Sequence, residues 1–471
     1  MTTLEEVRQQ MEAAGAARVD LHVSDLFGRW HRFSIPAARL TPELVARGLG
    51  FDGSSLRGLQ PIEESDMLLV PDLGTAVIDP TQDPPALSVI CDIADSISGQ
   101  RSARDPRGIA ARAEEYLRGT GIADTAYFGP ELEFFVFDEV RYQQVANTGF
   151  YYVDSAEGHW NTGRDEQPNR GAKVPPKSGY APTAPFDRLA PLRWAIADAL
   201  TAVGQPVEVH HHEVASGGQC EIATRFDSLL RKADQVQWYR YLVRNVARAH
   251  GQVATFMPKP LGGDNGSGMH THQSLWKDSL PLFHDPNGYA GLSQTARWYL
   301  GGLLRHAPAL LAICAPTTNS YRRLVPGFEA PVHLAYSARN RSAAVRIPTV
   351  EEQPAAKRLE FRSPDGMSNP YLAFPAMLMA GLDGIRQRID PGDPVDRNIY
   401  ELSAADAARI PHTPATLPAA LDALEADRAF LQEGGVFPAE VIDTWIALKR
   451  AEVQEVETRP TPAEYEAYFN G

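Results

Sequence analysis

Glu131 and Glu133 sit one residue apart in Gly129-Pro-Glu-Leu-Glu-Phe-Phe-Val-Phe137, an otherwise apolar run. In an extended strand that spacing sends both carboxylates to one face and leaves the other face apolar. Like charges side by side repel unless a cation lies between them, so the strand reads as one built to hold metal. A second acidic pair is expected in Val207-Glu-Val-His-His-His-Glu213 and Gln219-Cys-Glu-Ile-Ala223, which flank the turn signal Ser216-Gly-Gly218. A hairpin closed by three residues there would set Glu213 opposite Glu221, with about 5 Å between Cβ atoms.

Two further period-two faces are polar. Gly268-Met-His-Thr-His-Gln-Ser274 puts His270, His272 and Ser274 on one face, and Lys357-Arg-Leu-Glu-Phe-Arg362 puts Arg358, Glu360 and Arg362 on another. Between residues 319 and 346, Arg322, Arg323, Arg339, Arg341 and Arg346 surround Glu329. Guanidinium forks suit phosphate and carboxylate oxygens. The glycine-rich run 262–268 can bring backbone N–H groups close to an anion, but it lacks the Lys-Ser/Thr of a phosphate-binding loop. The chain has no Gly-x-Gly-x-x-Gly, so dinucleotide binding has no support.

Taken singly, each feature also has a bland reading. Glu131 and Glu133 could be a hydrated edge face, and His270 a satisfied core histidine. His210, His211 and His212 could be packing or surface histidines, a reading favoured for His211, and the arginines could be subunit salt bridges. Together they form a set: five carboxylates and a histidine on strand faces, two arginine strands and a glycine loop. Carboxylates with few histidines and no cysteine suit Mg²⁺ or Mn²⁺ better than structural zinc. Two such ions beside arginines imply phosphoryl transfer from a nucleotide.

The scaffold that must align these faces is large. The chain has 471 residues, 43% hydrophobic and 22% charged, enough for one large domain with a smaller one beside it. A net charge of −14 argues against nucleic-acid binding. Cys91, Cys220 and Cys314 are scattered and odd in number, which fits core filler in a reducing compartment. The N-terminal residues lack a signal-peptide pattern and no stretch has the length of a membrane span, so a cytoplasmic protein with no membrane partner is expected. Strands are expected near residues 19–23, 30–35 and 87–93, and Asp105-Pro106 opens a helix to about Leu117. The boundary therefore falls between residues 1–103 and 104–471. Residues 141–186 have the composition of a long excursion without core elements. Helical spacing marks 228–250 and 292–313, and one further helix from Leu417 through Leu431 to the stop at Gly434-Gly435.

Six motifs, in order along the chain, resemble the bacterial dodecameric type of glutamine synthetase. They are Phe51-Asp-Gly-Ser-Ser55, Gly129-Pro-Glu-Leu-Glu133, His210-His-His-Glu-Val214, residues 259–270 ending in Gly-Ser-Gly-Met-His270, Asn319-Ser-Tyr-Arg-Arg-Leu-Val-Pro-Gly327 and Asn340-Arg-Ser-Ala343. The resemblance implies an α+β protein with a small N-terminal β-grasp-like domain and a large catalytic domain built on a curved antiparallel sheet flanked by helices. It implies a homododecamer of two stacked hexameric rings, in which Asp52 comes from the neighbouring subunit and the segment from Arg459 straps the rings. It also implies that ATP phosphorylates the γ-carboxylate of L-glutamate and that ammonia displaces phosphate.

By the same resemblance Glu133, Glu213 and Glu221 would hold one Mg²⁺ or Mn²⁺, and Glu131, His270 and Glu360 the other. Glu208, Phe226, His272, Ser274, Arg341, Arg346 and Arg358 match ATP contacts, Arg341 and Arg346 as phosphate clamps. Asn265, Gly266, His270, Arg323 and Arg362 match the glutamate site. Asp52, Ser55 and Tyr180 match the ammonium side, and Glu329 the flap residue that closes the site and takes a proton from ammonium. The alternative is a paralogue that joins an organic amine to glutamate, with only the nucleophile pocket changed. Two positions depart from the family. Tyr400 stands where bacterial members carry a tyrosine modified by an adenylylating enzyme, but the usual Pro-Pro-Glu-Glu after it is replaced by Ser403-Ala-Ala-Asp406. A nucleotide-contacting lysine aligns with Ala355, which leaves that contact absent or supplied by Lys357.

Overall fold

The computed structural model describes residues 2–165, 169–349, 353–397, 399 and 410–471. Tyr400 and the residues that distinguish its segment lie outside these.

Two sheets carry the chain. The first has the order Trp30–Pro36, Arg18–Ser24, Leu87–Asp95, Asp66–Pro71, Leu49–Asp52, with Val77–Ile78 also on Leu87–Asp95. Arg18–Ser24 runs parallel to Leu87–Asp95 and the other pairs are antiparallel. This is the β-grasp arrangement, and its core is its own: Val19, Leu21, Leu69, Val89 and Ile93 are buried beside Val7 and Met11 of the helix Leu4–Ala14.

The second sheet has the order Val207–His212, Gln219–Thr224, Thr125–Phe137, Met269–Lys277, Leu359–Phe361, Ala343–Ile347, His333–Ala338, with short strands added at its flanks. All of these pairs are antiparallel except the last, which is parallel. One face is apolar, through Phe128, Leu132 and Phe134 of the central strand, and is covered by the helices Pro106–Thr120, Leu229–Ala249, Gln294–Cys314 and Pro370–Gln387. The last two helices meet backbone to backbone: a Cβ on Gly302 would lie 2.0 Å from Ala380 O.

The expected elements appear with small shifts. Pro106–Thr120 begins as read, with the Asp105 carboxylate accepting from Arg107 N at 3.1 Å. One expectation gains a detail and one fails. Residues 141–186 include most of a hairpin, Glu139–Val145 paired with Thr148–Asp154, whose first strand is exposed along its whole length. It stands off the core with no apolar stripe to announce it. The helix expected from Leu417 to Leu431 is two, Leu417–Ala426 and Ala429–Gln432. Asp427, at φ −129° and ψ 72°, breaks the helix, and its carboxylate meets His306 Nδ1 at 2.7 Å.

Arg107 joins the two parts of the molecule. Its buried guanidinium donates to Asp72 and Asp92 of the first at 2.7 Å each, and to Asp234 of the second at 2.9 Å. Tyr371 OH donates to the same Asp234 at 2.7 Å. No helix among the described residues is long and apolar enough to cross a membrane.

Candidate functional site

Strand register alone brings the acids together. The central strand Thr125–Phe137 sets Glu133 directly opposite Glu221 on one side and Glu131 opposite His270 on the other. One ladder further, His272 faces Glu360, and Glu360 faces Arg346. Four stretches distant in sequence thus line one acidic wall, because every strand crosses the same central line at matched positions.

Glu213 is not opposite Glu221. The hairpin centres on Ser216, so His211 faces Glu221, and Glu213 N donates to Gln219 O at 2.8 Å. Gly218 already belongs to the central ladder, its carbonyl accepting from Val136 N at 2.9 Å, and this moves the turn towards Glu213. The consequence concerns His211. Its ring offers a ligand atom within 4.8 Å of those of Glu213 and Glu221, so the histidine read as a packing residue belongs to the acidic cluster. Glu131, His270 and Glu360 form a second group of the same kind. Glu133 lies between the two, 3.8 Å from His270 Nδ1, with its other oxygen accepting from Gln219 Nε2 and Gly268 N at 3.0 Å each.

The charge states follow from these contacts. Burial pushes Glu221 well above the ordinary carboxylate range, and Glu131, Glu133 and Glu213 add to the effect. Burial likewise lifts Glu213 to about 7, with Glu329 and Glu131 reinforcing it and Arg341 opposing it. Burial would raise Glu131 too, but hydrogen bonds from His270 and His272 outweigh it and hold it well below. Glu360 is fully buried yet held low, because His272 and Arg362 outweigh its desolvation. Burial, then Arg362, keep His270 below its ordinary value, which favours the neutral imidazole that a metal ligand must be. Crowded carboxylates that cannot all ionise, beside a neutral imidazole, are a donor set suited to hard divalent cations.

Two cavities open on either side of this wall. The smaller, about 40 Å³, is lined by Glu133, Glu213, Asn265, Gly266, His270, Arg323, Glu329 and Arg362 among others. Arg323 is wedged beneath it, donating to the carbonyls of Arg362 and Ser363 at 3.0 and 2.9 Å. A Cβ at position 268 would lie 2.4 Å from the Arg323 guanidinium and would displace it. Two buried polar atoms of the lining, Asn265 Oδ1 and Arg362 Nε, have no hydrogen-bond partner in the chain. An acceptor and a guanidinium donor left open side by side suit a ligand that carries both ammonium and carboxylate.

The larger cavity, about 340 Å³, is lined by Glu131, Glu208, Phe226, His272, Ser274 and Arg358 together with Tyr127 and Trp276. A register shift between Val207 and Val209 accompanies Glu208's place in the wall. His272 is fixed at both nitrogens, with Glu131 at 2.8 Å from Nε2 and the Arg358 Nε–H donating to Nδ1 at 3.3 Å. Arg346 and Arg341 line neither cavity. Arg346 pairs with Glu360, whose other oxygen accepts from Arg362 at 2.6 Å, and Arg341 is exposed on the turn before Ala343–Ile347. Ala355 lines the large cavity, but Lys357 does not replace the missing lysine, since its ammonium donates to Ala290 O at 2.7 Å.

Asp52, Ser55 and Tyr180 also fall outside both linings. The Asp52 carboxylate is exposed on the first sheet and accepts from Ser54 and Ser55. Tyr180 is exposed with its ring 5.3 Å from that of His211. Gln219, which orients Glu133, and Asp264, which ties three loops, were not singled out from the sequence. Neither residue type nor spacing distinguishes such buried hydrogen-bonding groups.

Comparison with known proteins decides what the arrangement is. The family model described as "Glutamine synthetase, catalytic domain" matches residues 103–468, and "Glutamine synthetase, beta-Grasp domain" matches residues 15–96. The chain belongs to the glutamine synthetase family. It is 54% identical over 467 residues to the glutamine synthetase of Streptomyces filamentosus, covering 99% of each chain. It is 52% identical to that of Microchaete diplosiphon, covering the whole of both. Among solved structures, Plasmodium falciparum glutamine synthetase matches with a TM-score of 0.88 at 29% identity over 99% of both chains. A structure described as apo GmaS without ligand matches with a TM-score of 0.82 at 28% identity over the whole of both.

Proposed function

We infer that this protein is a glutamate–ammonia ligase, making glutamine, ADP and phosphate from L-glutamate, ammonium and ATP. The observation that carries the reading is the pair of unlike cavities sharing one acidic wall. A small one offers Asn265, Arg323 and Arg362 to an amino acid, and a larger one offers Phe226, Ser274 and Arg358 to a nucleotide. Glu131, His270 and Glu360 would hold one Mg²⁺ or Mn²⁺ and Glu133, Glu213 and Glu221 another, with His211 available to the second. Bound there, the ions supply screening of phosphate charge and polarisation of the γ-phosphoryl group.

The protein's own groups do the rest. Arg323 and Arg362 hold the amino acid so that its γ-carboxylate oxygen faces the nucleotide. That oxygen bonds to the γ-phosphorus as the bond to ADP breaks, giving an acyl phosphate. Arg341 and Arg346 offset charge on the moving group once nucleotide is bound. Glu329, at the edge of the small cavity, accepts a proton from ammonium, and the ammonia attacks the acyl carbon and expels phosphate. Water must be kept from the acyl phosphate throughout.

Asp52 and Ser55 would serve the ammonium side from a neighbouring copy within a homododecamer of two stacked hexameric rings, a reading supported by their exposure and distance from their own chain's cavities. The division at residues 1–103 and 104–471 is supported by the gap between the last strand of the first sheet, ending at Asp95, and the helix from Pro106. Three buried free cysteines fit a cytoplasmic protein. The test is phosphate release with ATP and Mg²⁺, which should require both glutamate and ammonium. An organic amine with a much higher kcat/KM than ammonium would overturn the choice of nucleophile.

A further inference from the structure

The segment carrying Glu329 is held from outside the small cavity. Phe328 and Glu329 both line that cavity, and Glu329 has a left-handed φ of 56°. Two ammonium groups approach the Phe328 ring, Lys259 Nζ at 3.9 Å from its centroid and Lys177 Nζ at 4.4 Å. Lys177 Nζ also donates to Gly327 O at 2.9 Å, so one lysine grips both the ring and the backbone before it.

The two lysines come from loops that are themselves tied together. Buried Asp264 accepts from Lys177 N at 3.3 Å and Asn265 N at 2.9 Å with one oxygen, and from Ser216 N at 2.8 Å with the other. Lys259 Nζ donates to Asp264 O, and Lys259 N donates to Asn319 Oδ1 at 2.7 Å, just before the helical turn bearing Arg323. Asp264 therefore fixes the bases of the Lys177 loop, the Asn265 loop and the turn after Glu213 with respect to one another.

We propose that Lys177 and Lys259 form a cationic clasp on Phe328 that holds the 327–329 segment shut over the small cavity, making all three positioning residues for water exclusion during glutamine synthesis. The proposal rests on the reading of Glu329 as the group that closes the glutamate side. An ammonium–ring contact changes an open–closed ratio by about two- to thirty-fold, depending on how far it is desolvated. Two contacts on one ring set the segment's equilibrium without touching substrate. Loss of the clasp lets water compete with ammonia for the acyl phosphate, so ATP is spent without glutamine being formed.

The test uses the full-length protein with Lys177→Met, Lys177→Arg and Phe328→Leu. Amide hydrogen exchange at residues 327–330, measured without substrates, should speed up by about two-fold or more in Lys177→Met and Phe328→Leu. It should stay near wild type in Lys177→Arg, which keeps the cation. Phosphate released per glutamine formed should rise in Lys177→Met and Phe328→Leu and stay near one in Lys177→Arg. Unchanged exchange in Lys177→Met, an exposed position that folding tolerates, overturns the clasp. Faster exchange with an unchanged ratio overturns its role in excluding water. A wild-type protein that forms no glutamine would refute the catalytic reading instead, and the exchange measurement would still judge the clasp.

Discussion

Glu221→Gln should change stability in opposite directions with and without metal. Glu221 is buried opposite Glu133 and beside Glu213, and no arginine or lysine pairs with it among the described ion pairs. At about 5 Å and an effective dielectric of about 20, each fully ionised pair repels by about 3 kcal/mol. Partial protonation of the cluster and the nearby Arg323 reduce this, so relief of about 1–2 kcal/mol is expected in the metal-free protein. The amide is nearly isosteric and leaves packing intact. With a divalent ion at one hundred times its Kd the wild type gains about 2.7 kcal/mol, most of which the variant forgoes. Thermal unfolding in EDTA should therefore put the variant above wild type by about 1–3 °C, and unfolding in saturating Mg²⁺ should put it below. A variant that is destabilised equally in both buffers would show that Glu221 is an ordinary packed side chain and would refute the cation cage.

Three further outcomes are expected. Glu329→Ala should bind nucleotide as wild type does while losing about 10²-fold or more in glutamine formation, and unchanged turnover would remove its proton-accepting role. Arg107→Met should cost about 3–5 kcal/mol, because buried Asp234 is left with no cation, while Asp92 keeps Arg101 and the more exposed Asp72 adds little; urea unfolding checks it, and a loss under about 1 kcal/mol would deny the domain clasp. His306 is pulled down by burial but more strongly up by its bonds to Asp427 and Asp383, so its folded value lies above the ordinary 6.5. Its contribution is fully present below pH 6.5 and fades as pH rises through the folded value. His306→Gln should flatten that part of a stability–pH curve, and an unaltered curve would contradict the assignment.

Much of the site was legible because chemistry was written into period-two patterns. Glu131 with Glu133, His270 with His272, and Arg358 with Glu360 each declared a polar face on a strand whose other face was apolar. The resemblance to a family added ligand sets and the lining of both cavities. Local signals also located the capped helix at Pro106 and the long helices behind the sheet. The errors came where partners are distant. The hairpin register differs from the expected one because Gly218 is recruited by Val136, more than eighty positions away, and this sets His211, expected as a packing or surface residue, opposite Glu221.

What the amino-acid order determined by itself was composition on faces: which carboxylates, imidazoles and guanidinium groups share a side, since strand alternation is a property of the backbone alone. Only the tertiary structure decided which faces meet, that Glu131 stands across from His270 and Glu133 across from Glu221, and that Arg346 pairs with Glu360. Cross-strand register is fixed by burial of the opposite, apolar face against four helices, an energy spread over the whole core and visible in no local window.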